Sequence, residues 1–388
     1  MKIVILVHNL TGGGAERAAA LWATGFAERG HSVSIITQDT NRTSRYELSS
    51  KVNVFNIRIP LKNRLFASLL WRLGIMNMLY VRNLKKNLFR IRPDVCIGVM
   101  GTYARDAFFI TRNLQTLVVQ TYHSAFELPD NAPLVRKREI KTCYIRDKDI
   151  PIRTVLTQAD KDYIGSRMRN VFVLPNPLAF RPLDAVPIKK KYVLACGRLD
   201  VWDVKGFDVL INAWGTIAKD HSLWKLRIAG SGSVKSLDFL KKLVAKKQLF
   251  DQVEFLGFRD DVVELYKESE VFVLSSRYEG FGMVLIEAMS QGCACVACDY
   301  KGRQREIIEN ETQGLICDVD NPLSLARALK KMIDDDYYRR TCQENSIRRS
   351  KYFSVSKTID RWDSIFLQMG VNKNELLPSL NSSINDMK

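Results

Sequence analysis

The segment SSRYEGFGMVLIEAMSQGCACVAC, residues 275–298, decides how the rest of this 388-residue chain is interpreted. It follows an apolar run at 271–274 that predicts a buried strand, and it holds a glycine loop, a helical stretch at 283–289 and a second strand-like run at 293–298. Strand, loop, helix and strand in this order form one parallel crossover unit. The loops at the carboxyl ends of such strands are where open α/β sheets bind ligands.

Two carboxylates occupy different places in this segment. Glu279 precedes the helix and is expected to project over its amino end, whereas Glu287 lies more than one turn inside the helix. The amide groups of residues 281–285 would point at the same space, together with the positive end of the helix dipole. Such a site suits an anionic ligand that carries hydroxyl groups. Taken alone, a surface glutamate and an ordinary helical glutamate are the simpler interpretation.

The net charge of +17 is concentrated in the first half of the chain. Residues 1–185 hold 28 Lys and Arg against 14 Asp and Glu, and the remainder holds 31 against 28. The basic half should face an acidic partner, for which nucleic acid and an anionic membrane are the obvious classes. The length predicts two domains, or three, and an apolar content of 46% is enough for real cores.

The cellular location is expected to be cytoplasmic. The apolar run at 3–7 is too short for a secretory signal, and no run reaches 18 apolar residues. The eight cysteines are scattered, which favours reduced thiols. Cys293, Cys295 and Cys298 alternate with small apolar residues and have no matching Cys/His pair elsewhere, so we interpret them as core residues and expect no metal site.

Residues 61–92 combine large apolar side chains with eight basic residues and no acid. The apolar positions follow a helical stripe, and the basic residues lie elsewhere around the helix. This composition is typical of an interfacial amphipathic helix, although a helix with a solvated basic face is an equally simple reading. The charge asymmetry favours membrane contact over a solvated basic face, and we expect peripheral association with the inner face of an anionic membrane through 61–92 and no nucleic-acid partner.

The amino-terminal segment predicts a strand at 2–7, a glycine turn at 12–14, a helix at 15–29 and a strand at 33–37. A glycine turn at a helix amino end is a general phosphate or close-approach site. Arg17 stands where a dinucleotide fingerprint would need its last glycine, which weakens an NAD interpretation. Further along, His123 follows a predicted strand and faces the ligand edge, where it is as readily structural as functional.

The second half repeats the pattern after a linker in the proline-containing stretch 175–191. Predicted strands at 192–196, 226–229 and 253–256 each run into a glycine-containing loop. Because parallel strands end at one edge of their sheet, Arg198 and Lys205 should lie at the same edge as Glu279. Both cations suit phosphate, Arg through two parallel contacts and Lys as a compact charge.

Three motifs, in order, resemble the retaining glycosyltransferases of the GT-B fold, and in particular glycosyltransferase family 4, also called glycosyl transferases group 1. They are GGGAER at 12–17, Gly197-Arg198 with Lys205-Gly206, and EGFGMVLIEAMSQG with its two glutamates. The resemblance implies an α/β fold with two Rossmann-like domains that face each other across a cleft. The implied divisions are an acceptor-binding domain at 1–180, a nucleotide-sugar-binding domain at 186–350, a helix at 351–370 that crosses back to the first domain, and a flexible tail at 371–388.

The resemblance also implies roles for individual residues. Arg198 and Lys205 would hold the donor diphosphate, Glu279 the sugar hydroxyls and Glu287 the ribose. His123 matches the family's amino-domain histidine near the reacting sugar and completes the catalytic set with Glu279, Arg198 and Lys205. The other implied donor contacts are Gly13, Gly14, Gly230, Phe258, Arg259, Phe281, Gly282, Met283 and Val284. Glu16 and Arg17 would contact the acceptor. Such enzymes need no metal, and the sequence offers no convincing D-x-D.

The function implied is transfer of a sugar, with retention, from a nucleotide-sugar such as a UDP-linked hexose or N-acetylhexosamine. The expected acceptor is a saccharide on a polyprenyl diphosphate, in the synthesis of surface polysaccharide, O-antigen or lipid-linked oligosaccharide. Two alternatives remain open at this point: a related enzyme that does other chemistry on a nucleotide-sugar, such as an epimerase, and a basic membrane-surface binding protein without activity. An NAD oxidoreductase is a more distant possibility.

Overall fold

The computed structural model describes residues 1–38, 44–57, 75–130 and 132–371, with only the backbone described for 75–77. The chain divides into two compact units. The first unit comprises Met1–Leu156, Asp160–Pro177 and Val355–Lys388, and the second comprises Thr157–Ala159 and Leu178–Ser354. Residues 61–74 of the expected basic helix, and 372–388 of the expected flexible tail, lie outside the described residues.

The first unit is built on one parallel sheet. Within the described residues the strand order is β3-β2-β1-β4-β5-β6-β7. The strands are β1 (Lys2–Val7), β2 (Ser32–Thr37), β3 (Val52–Asn56), β4 (Val95–Val99), β5 (Leu117–Thr121), β6 (Ile152–Val155) and β7 (Val171–Val173). The helices are α1 (Gly14–Glu28), α2 (Ile75–Ile91), α3 (Tyr103–Thr111), α4 (Leu134–Arg146), α5 (Gln158–Ile164, whose first two residues are assigned to the second unit) and, near the end of the chain, α13 (Val355–Gln368).

The packing of α13 against α1 shows why the last helix belongs to the first unit. The rings of Trp22 and Trp362 meet edge to face with centroids 5.4 Å apart, and Phe366 stacks on Phe26. A side chain at Gly25 would come within 2.7 Å of Val355, so the glycine permits the close approach of the two helices. Burial of such large aromatic rings contributes strongly to core stability.

The second unit is built on another parallel sheet, of order β10-β9-β8-β11-β12-β13 in the described residues. The strands are β8 (Lys190–Cys196), β9 (Lys225–Ala229), β10 (Val253–Gly257), β11 (Ser269–Leu274), β12 (Ala294–Cys298) and β13 (Gly314–Cys317). The helices are α6 (Trp202–Lys205), α7 (Phe207–Ile217), α8 (Val234–Lys246), α9 (Val262–Glu268), α10 (Met283–Ser290), α11 (Pro322–Asp334) and α12 (Asp336–Ser350).

The loops after β8, β9 and β10 interlock at the carboxyl edge of this sheet. The amide of Gly197 donates to the carbonyl of Ala229 at 3.0 Å, and that of Gly230 donates to Gly257 at 2.8 Å. A Cβ atom on Gly230 would lie 1.8 Å from the carbonyl oxygen of Gly197, so this position, with φ of 153°, requires glycine. The expected α/β fold with two parallel-sheet units is therefore confirmed.

Candidate active site

The centre of the candidate site is an ion pair between Lys205 and Glu279. The Nζ atom of Lys205 donates to Oε1 of Glu279 at 2.5 Å, and the hydroxyl of Ser276 donates to the same oxygen at 2.9 Å. The Ser275 hydroxyl donates to the carbonyl of Lys205 at 2.9 Å. The structure thus brings together two residues 74 positions apart that the sequence placed only at a common sheet edge.

The loop that presents Glu279 turns into α10 at Gly282. Gly282 has φ of 96° and precedes Met283, the first residue of the helix, as the sequence predicts. The prediction of free amides over 281–285 is wrong at its last member, because Leu285 donates to the carbonyl of Gly282 at 2.9 Å. Met283 and Val284 remain half-exposed at the amino end of the helix, where backbone donors and the helix dipole favour an anion.

The other predicted phosphate ligand, Arg198, is exposed at the carboxyl end of β8. It precedes a short 3-10 turn at Leu199–Val201. Asp200, in that turn, accepts a hydrogen bond from the amide of Ser233 at 2.6 Å, which ties the β8 loop to the start of α8. The backbone hydrogen bond to Ser233 lowers the pKa of Asp200. Arg198 therefore lies on a loop that this hydrogen bond holds in place at the ligand edge.

Glu287 lies deeper than its partner glutamate. Its side chain is only 2% exposed, and the hydroxyl of Tyr266 donates to Oε2 at 3.3 Å. Tyr266 is itself buried, and burial raises its phenolic pKa well above the ordinary value. The two glutamates of the motif thus differ in environment, one beside a cation at the site and one beside a neutral phenol.

The remaining predicted donor contacts in the second unit lie at the ends of β9 and β10. Phe258, directly after β10, is 51% exposed. Arg259 is exposed and forms an ion pair with its neighbour Asp261, with Nη2 and Oδ2 2.5 Å apart. Phe281, by contrast, is buried against Phe353, with ring centroids 5.7 Å apart, so only its backbone can contribute to the site.

One residue at this edge was missed by the sequence-based interpretation. Arg277 lies two positions before Glu279, and its guanidinium group pairs with both carboxylate oxygens of Asp208 at 2.8 Å. Its Nε atom donates to Asp320 at 2.8 Å. Nothing in the local sequence distinguishes this arginine from a solvated one, because both acidic partners are more than 40 positions away.

In the first unit, His123 follows the carboxyl end of β5, where the sequence predicts it. Its Nδ1 lies 3.1 Å from Oδ1 of Asn176, and its Nε2 lies 3.0 Å from the hydroxyl of Thr121. Burial lowers the pKa of His123 to about 4, so the ring is neutral near pH 7. With Asn176 accepting from Nδ1–H, Nε2 is the acceptor for Thr121. Asn176 was interpreted only as part of a linker.

In the first unit, the carboxylate of Glu16, from α1, lies over the glycine loop. Gly13 has φ of 115°, and a Cβ atom there would lie 2.2 Å from Oε2 of Glu16. Burial raises the pKa of Glu16, against the effect of a hydrogen bond from its own amide. The Arg17 guanidinium lies 5.5 Å from the ring centre of Tyr46, whose hydroxyl donates to the carbonyl of Gly13 at 2.9 Å. Gly14 begins α1 and is exposed.

No group of three or more His, Cys, Asp or Glu side chains in the ranges given above is arranged to hold a metal ion. Every helix in those ranges is too short or too polar to cross a bilayer.

Two family models match the chain in succession. The model described as Glycosyltransferase Family 4 matches residues 12–178. The model described as Glycosyl transferases group 1 matches residues 181–349 and so includes the whole candidate site of the second unit.

Two named glycosyltransferases are similar in sequence to this chain, and a solved structure is similar to it in fold. A Campylobacter jejuni α-1,4-N-acetyl-D-galactosaminyltransferase, named for a diphospho-undecaprenol-linked acceptor, is 27% identical over 93% of this chain and 97% of its own length. The amylovoran biosynthesis glycosyltransferase AmsD of Erwinia amylovora is 27% identical over 94% of this chain and 99% of its own. The crystal structure of an S. aureus TarM variant with fondaparinux, alpha-GlcNAc-glycerol and UDP superimposes with a TM-score of 0.74 at 16% identity, covering 94% of this chain and 99% of TarM.

Proposed function

This chain belongs to the GT-B glycosyltransferases of group 1 and family 4 and is a hexosyltransferase, and we propose that it moves a sugar from a nucleotide-sugar, with retention, to a lipid-linked saccharide. The observation that carries the proposal is the pair of Lys205 and Glu279 at the amino end of α10. A cation, a carboxylate and a helix amino end within one loop cluster match a ligand that combines a diphosphate with sugar hydroxyls.

The proposed chemistry centres on the departing diphosphate. Breaking the anomeric carbon–oxygen bond leaves negative charge on that group, and Lys205, Arg198 and the first amides of α10 are proposed to stabilise it. Donors that are fixed before the reaction act where charge develops, and removal of one such donor typically costs about 10²- to 10³-fold in rate. Glu279 is proposed to accept from sugar hydroxyls, and Glu287 from the ribose. No covalent nucleophile is assigned.

A uridine diphosphate donor is the preferred identity. TarM, which shares the fold, was crystallised with UDP. The exposed ring of Phe258 is proposed to lie against the base, and the loop at Gly230 to approach it closely. The transferred sugar is proposed to be a hexose or an N-acetylhexosamine.

The proposed role of His123 follows from its protonation state. Because its pKa is lowered to about 4, the ring is a neutral hydrogen-bonding group rather than a cation at physiological pH. Thr121 and Asn176 hold both ring nitrogens and fix the orientation of the ring. We assign His123 to contact with the transferred sugar, and Glu16 and Arg17 to contact with the acceptor.

A lipid-linked acceptor is supported by the named relatives and by the charge of the first unit. The C. jejuni relative is named for an undecaprenol-linked acceptor, and the E. amylovora relative for synthesis of a polysaccharide. The described part of the expected membrane helix, α2, exposes Met78, Val81 and Phe89 beside basic residues. Helix α4 contributes a second basic face, with Leu134 and Ile145 about 70% exposed. We propose that both helices contact an anionic membrane surface.

Vesicle binding tests the membrane part of the proposal. The unmodified protein should co-sediment with vesicles that contain anionic phospholipid more than with neutral vesicles, and salt should weaken the difference. Reversing three charges on α4 should reduce binding more than the same change on α8 of the second unit. The two variants are K137E/R138E/K141E and K241E/K242E/K246E, all at exposed positions. Equal binding to both vesicle types would end this part of the proposal.

Ligand-induced stabilisation tests the donor. In a thermal unfolding screen against nucleotide-sugars, a true donor at about 100 times its dissociation constant should add about 2.7 kcal/mol to the free energy of unfolding. The responding donor is then incubated with and without a lipid-linked saccharide. Nucleotide release that depends on the acceptor supports transfer, whereas donor conversion without acceptor would support an epimerase. A protein that responds to no nucleotide-sugar would overturn the proposal.

A further inference from the structure

Arg277 joins four segments of the second unit at the edge that carries the candidate site. Its guanidinium group makes a two-point contact with Asp208 at the start of α7, and it also contacts Asp320 after β13. Its Nη1 donates to the carbonyl of Asp203 in α6 at 2.6 Å, and its own backbone amide donates to the carbonyl of Val204 at 2.8 Å. Its side chain is 28% exposed, so these contacts occupy most of its surface.

The contacts of Arg277 lie next to both members of the central ion pair. Val204 precedes Lys205, and Arg277 lies between Ser276 and Glu279, both of which take part in the pair's hydrogen bonds. A shift of α6 relative to the 275–282 loop would therefore have to break contacts of Arg277 before it could separate Lys205 from Glu279. A planar guanidinium group with five donors can hold several acceptors in fixed directions, which an ammonium group cannot do.

The same arginine also neutralises acidic groups close to the phosphate-binding cations. Without it, the carboxylates of Asp208 and Asp320 would both lose the cation that they share, and Asp208 lies three residues from Lys205 along the chain. Burial and the two carboxylates act in opposite directions, and the carboxylates prevail, since the pKa of Arg277 is raised. A fixed, permanently charged group at this point is thus part of the loop architecture.

We propose that Arg277 is a positioning residue that fixes Lys205 and Glu279 relative to each other for the transfer reaction. The expected effect on the transfer rate rests on the proposed function. The expected effect on the positions of Lys205 and Glu279 does not. In this role Arg277 acts through Lys205 and Glu279 and not through a contact of its own with the donor. Misplacement of catalytic groups by about 1 Å can cost roughly 100-fold in rate, which sets the scale of the expected effect.

The kinetic test compares Arg277→Gln, Arg277→Lys and a matched control, Arg340→Gln. The control removes another guanidinium group from a carboxylate partner in the same unit, Glu344 on α12. R277Q should lower kcat roughly 10- to 100-fold, with the KM for acceptor unchanged. R277K should lose nearly as much as R277Q, because an ammonium group keeps the charge but cannot hold the same acceptors in fixed directions. R340Q should behave like the unmodified protein. Equal kcat for R277Q and R340Q would overturn the proposal.

A double variant separates geometry from charge. In R277Q/D208N one of the two carboxylates that lose their cation, that of Asp208, is neutralised, while the guanidinium contact to the carbonyl of Asp203 in α6 stays lost. If position is what matters, kcat remains as low as in R277Q. Recovery of kcat would show that Arg277 acts by neutralising Asp208, and the positioning role would be withdrawn. Thermal unfolding of each variant confirms that the chain is folded at the assay temperature.

Amine labelling tests the geometry without any activity. In the unmodified protein the amine of Lys205 is held by Glu279 and the lysine side chain is 25% exposed, so the amine should react slowly with an acylating reagent. In R277Q it should react severalfold faster, as measured by mass spectrometry of the peptide that contains it, and R340Q should leave the rate unchanged. Unchanged labelling in R277Q contradicts the inference. If instead the unmodified protein binds no nucleotide-sugar, the proposed function fails while the labelling result still decides the role of Arg277.

Discussion

The β1–α1 loop of the first unit and the β11–α10 loop of the second unit share one construction. Each leads from a buried strand to the amino end of a helix through a glycine with positive φ, 115° at Gly13 and 96° at Gly282. They differ in where the acidic side chain lies. Glu16 belongs to the helix and folds back over Gly13, whereas Glu279 precedes its helix and is held to the side by Lys205.

This difference bears on the ligand that each loop can take. A carboxylate over a helix amino end already satisfies the positive end of the dipole and repels a phosphate. A carboxylate paired with a lysine leaves the helix amino end open and brings a cation to it. We therefore expect the second unit's loop to hold the donor diphosphate. The proposed contacts of Gly13 and Gly14 would then be made with a sugar rather than with a phosphate.

Removal of the cation is the change expected to have the largest effect. Lys205→Met should lower kcat/KM for the donor by about 10²- to 10³-fold, because a fixed charge is lost where the leaving group becomes negative. Lys190→Met removes a lysine from another Lys–Glu pair of the same unit and should leave activity near that of the unmodified protein. Steady-state kinetics with the donor found in the screen measures both. Similar losses in the two variants would break the assignment of the β11–α10 loop to phosphate.

Neutralising the acid of each loop should separate the two functions. Glu279→Gln removes the partner of Lys205, so UDP binding should persist or tighten while transfer falls by about 10- to 100-fold, the cost expected for lost hydrogen bonds to a charged group. Glu16→Gln should leave UDP binding unchanged and raise the KM for acceptor. Isothermal titration with UDP and kinetics with both substrates give these values. Weaker UDP binding in E16Q than in E279Q would reverse the roles of the loops.

Substitution of Gly13 and Gly282 should show how the two loops differ in their contribution to the free energy of unfolding. Gly13→Ala and Gly282→Ala each place a side chain at positive φ and should lower the free energy of unfolding by about 1–3 kcal/mol. The alanine at 13 also meets the carboxylate of Glu16, so adding Glu16→Ala should restore part of the loss. No such rescue is expected at 282, where the neighbour is Leu274 in the core. Urea denaturation measures the differences, and a rescue of zero would show that Glu16 does not lie over Gly13.

The sequence was sufficient for the parts of the molecule that local pattern determines. The strands next to the site were predicted to within a few residues because buried parallel strands are continuous apolar runs. The start of α10 directly after Gly282 followed from glycine at a required turn. A common edge for Arg198, Lys205 and Glu279 followed from the rule that parallel strands end together, and the structure confirms that edge.

Features that depend on distant partners were not predicted. Asn176 lies in a Pro-Asn-Pro stretch that suggests a linker, and its contact with His123 spans 53 positions. Arg277 is one of 59 basic residues, and only the folded chain brings it to Asp208 and Asp320. The half-exposed edge strand β3 and the helix α4, which has no buried residue, lack the apolar period from which elements are recognised. Long-range pairing of this kind leaves no local signal.

The last expected effect is a pH dependence that comes from two histidines of the first unit. Burial lowers the pKa of both His123 and His31 to about 4, against an ordinary value near 6.5. Between pH 6.5 and 4 the unfolded chain binds protons that the native chain does not, so the free energy of unfolding falls as the pH decreases through this window. Above pH 6.5 the stabilisation from the two neutral histidines is fully present. Each site contributes at most about 1.4 kcal/mol per pH unit.

His123→Asn should therefore lose less stability than the unmodified protein between pH 7 and pH 5, with His31 giving the same background in both. Urea denaturation at pH 7, 6 and 5 measures the slopes, and equal slopes would mean that His123 takes up its proton in the folded protein, contrary to the neutral role assigned to it.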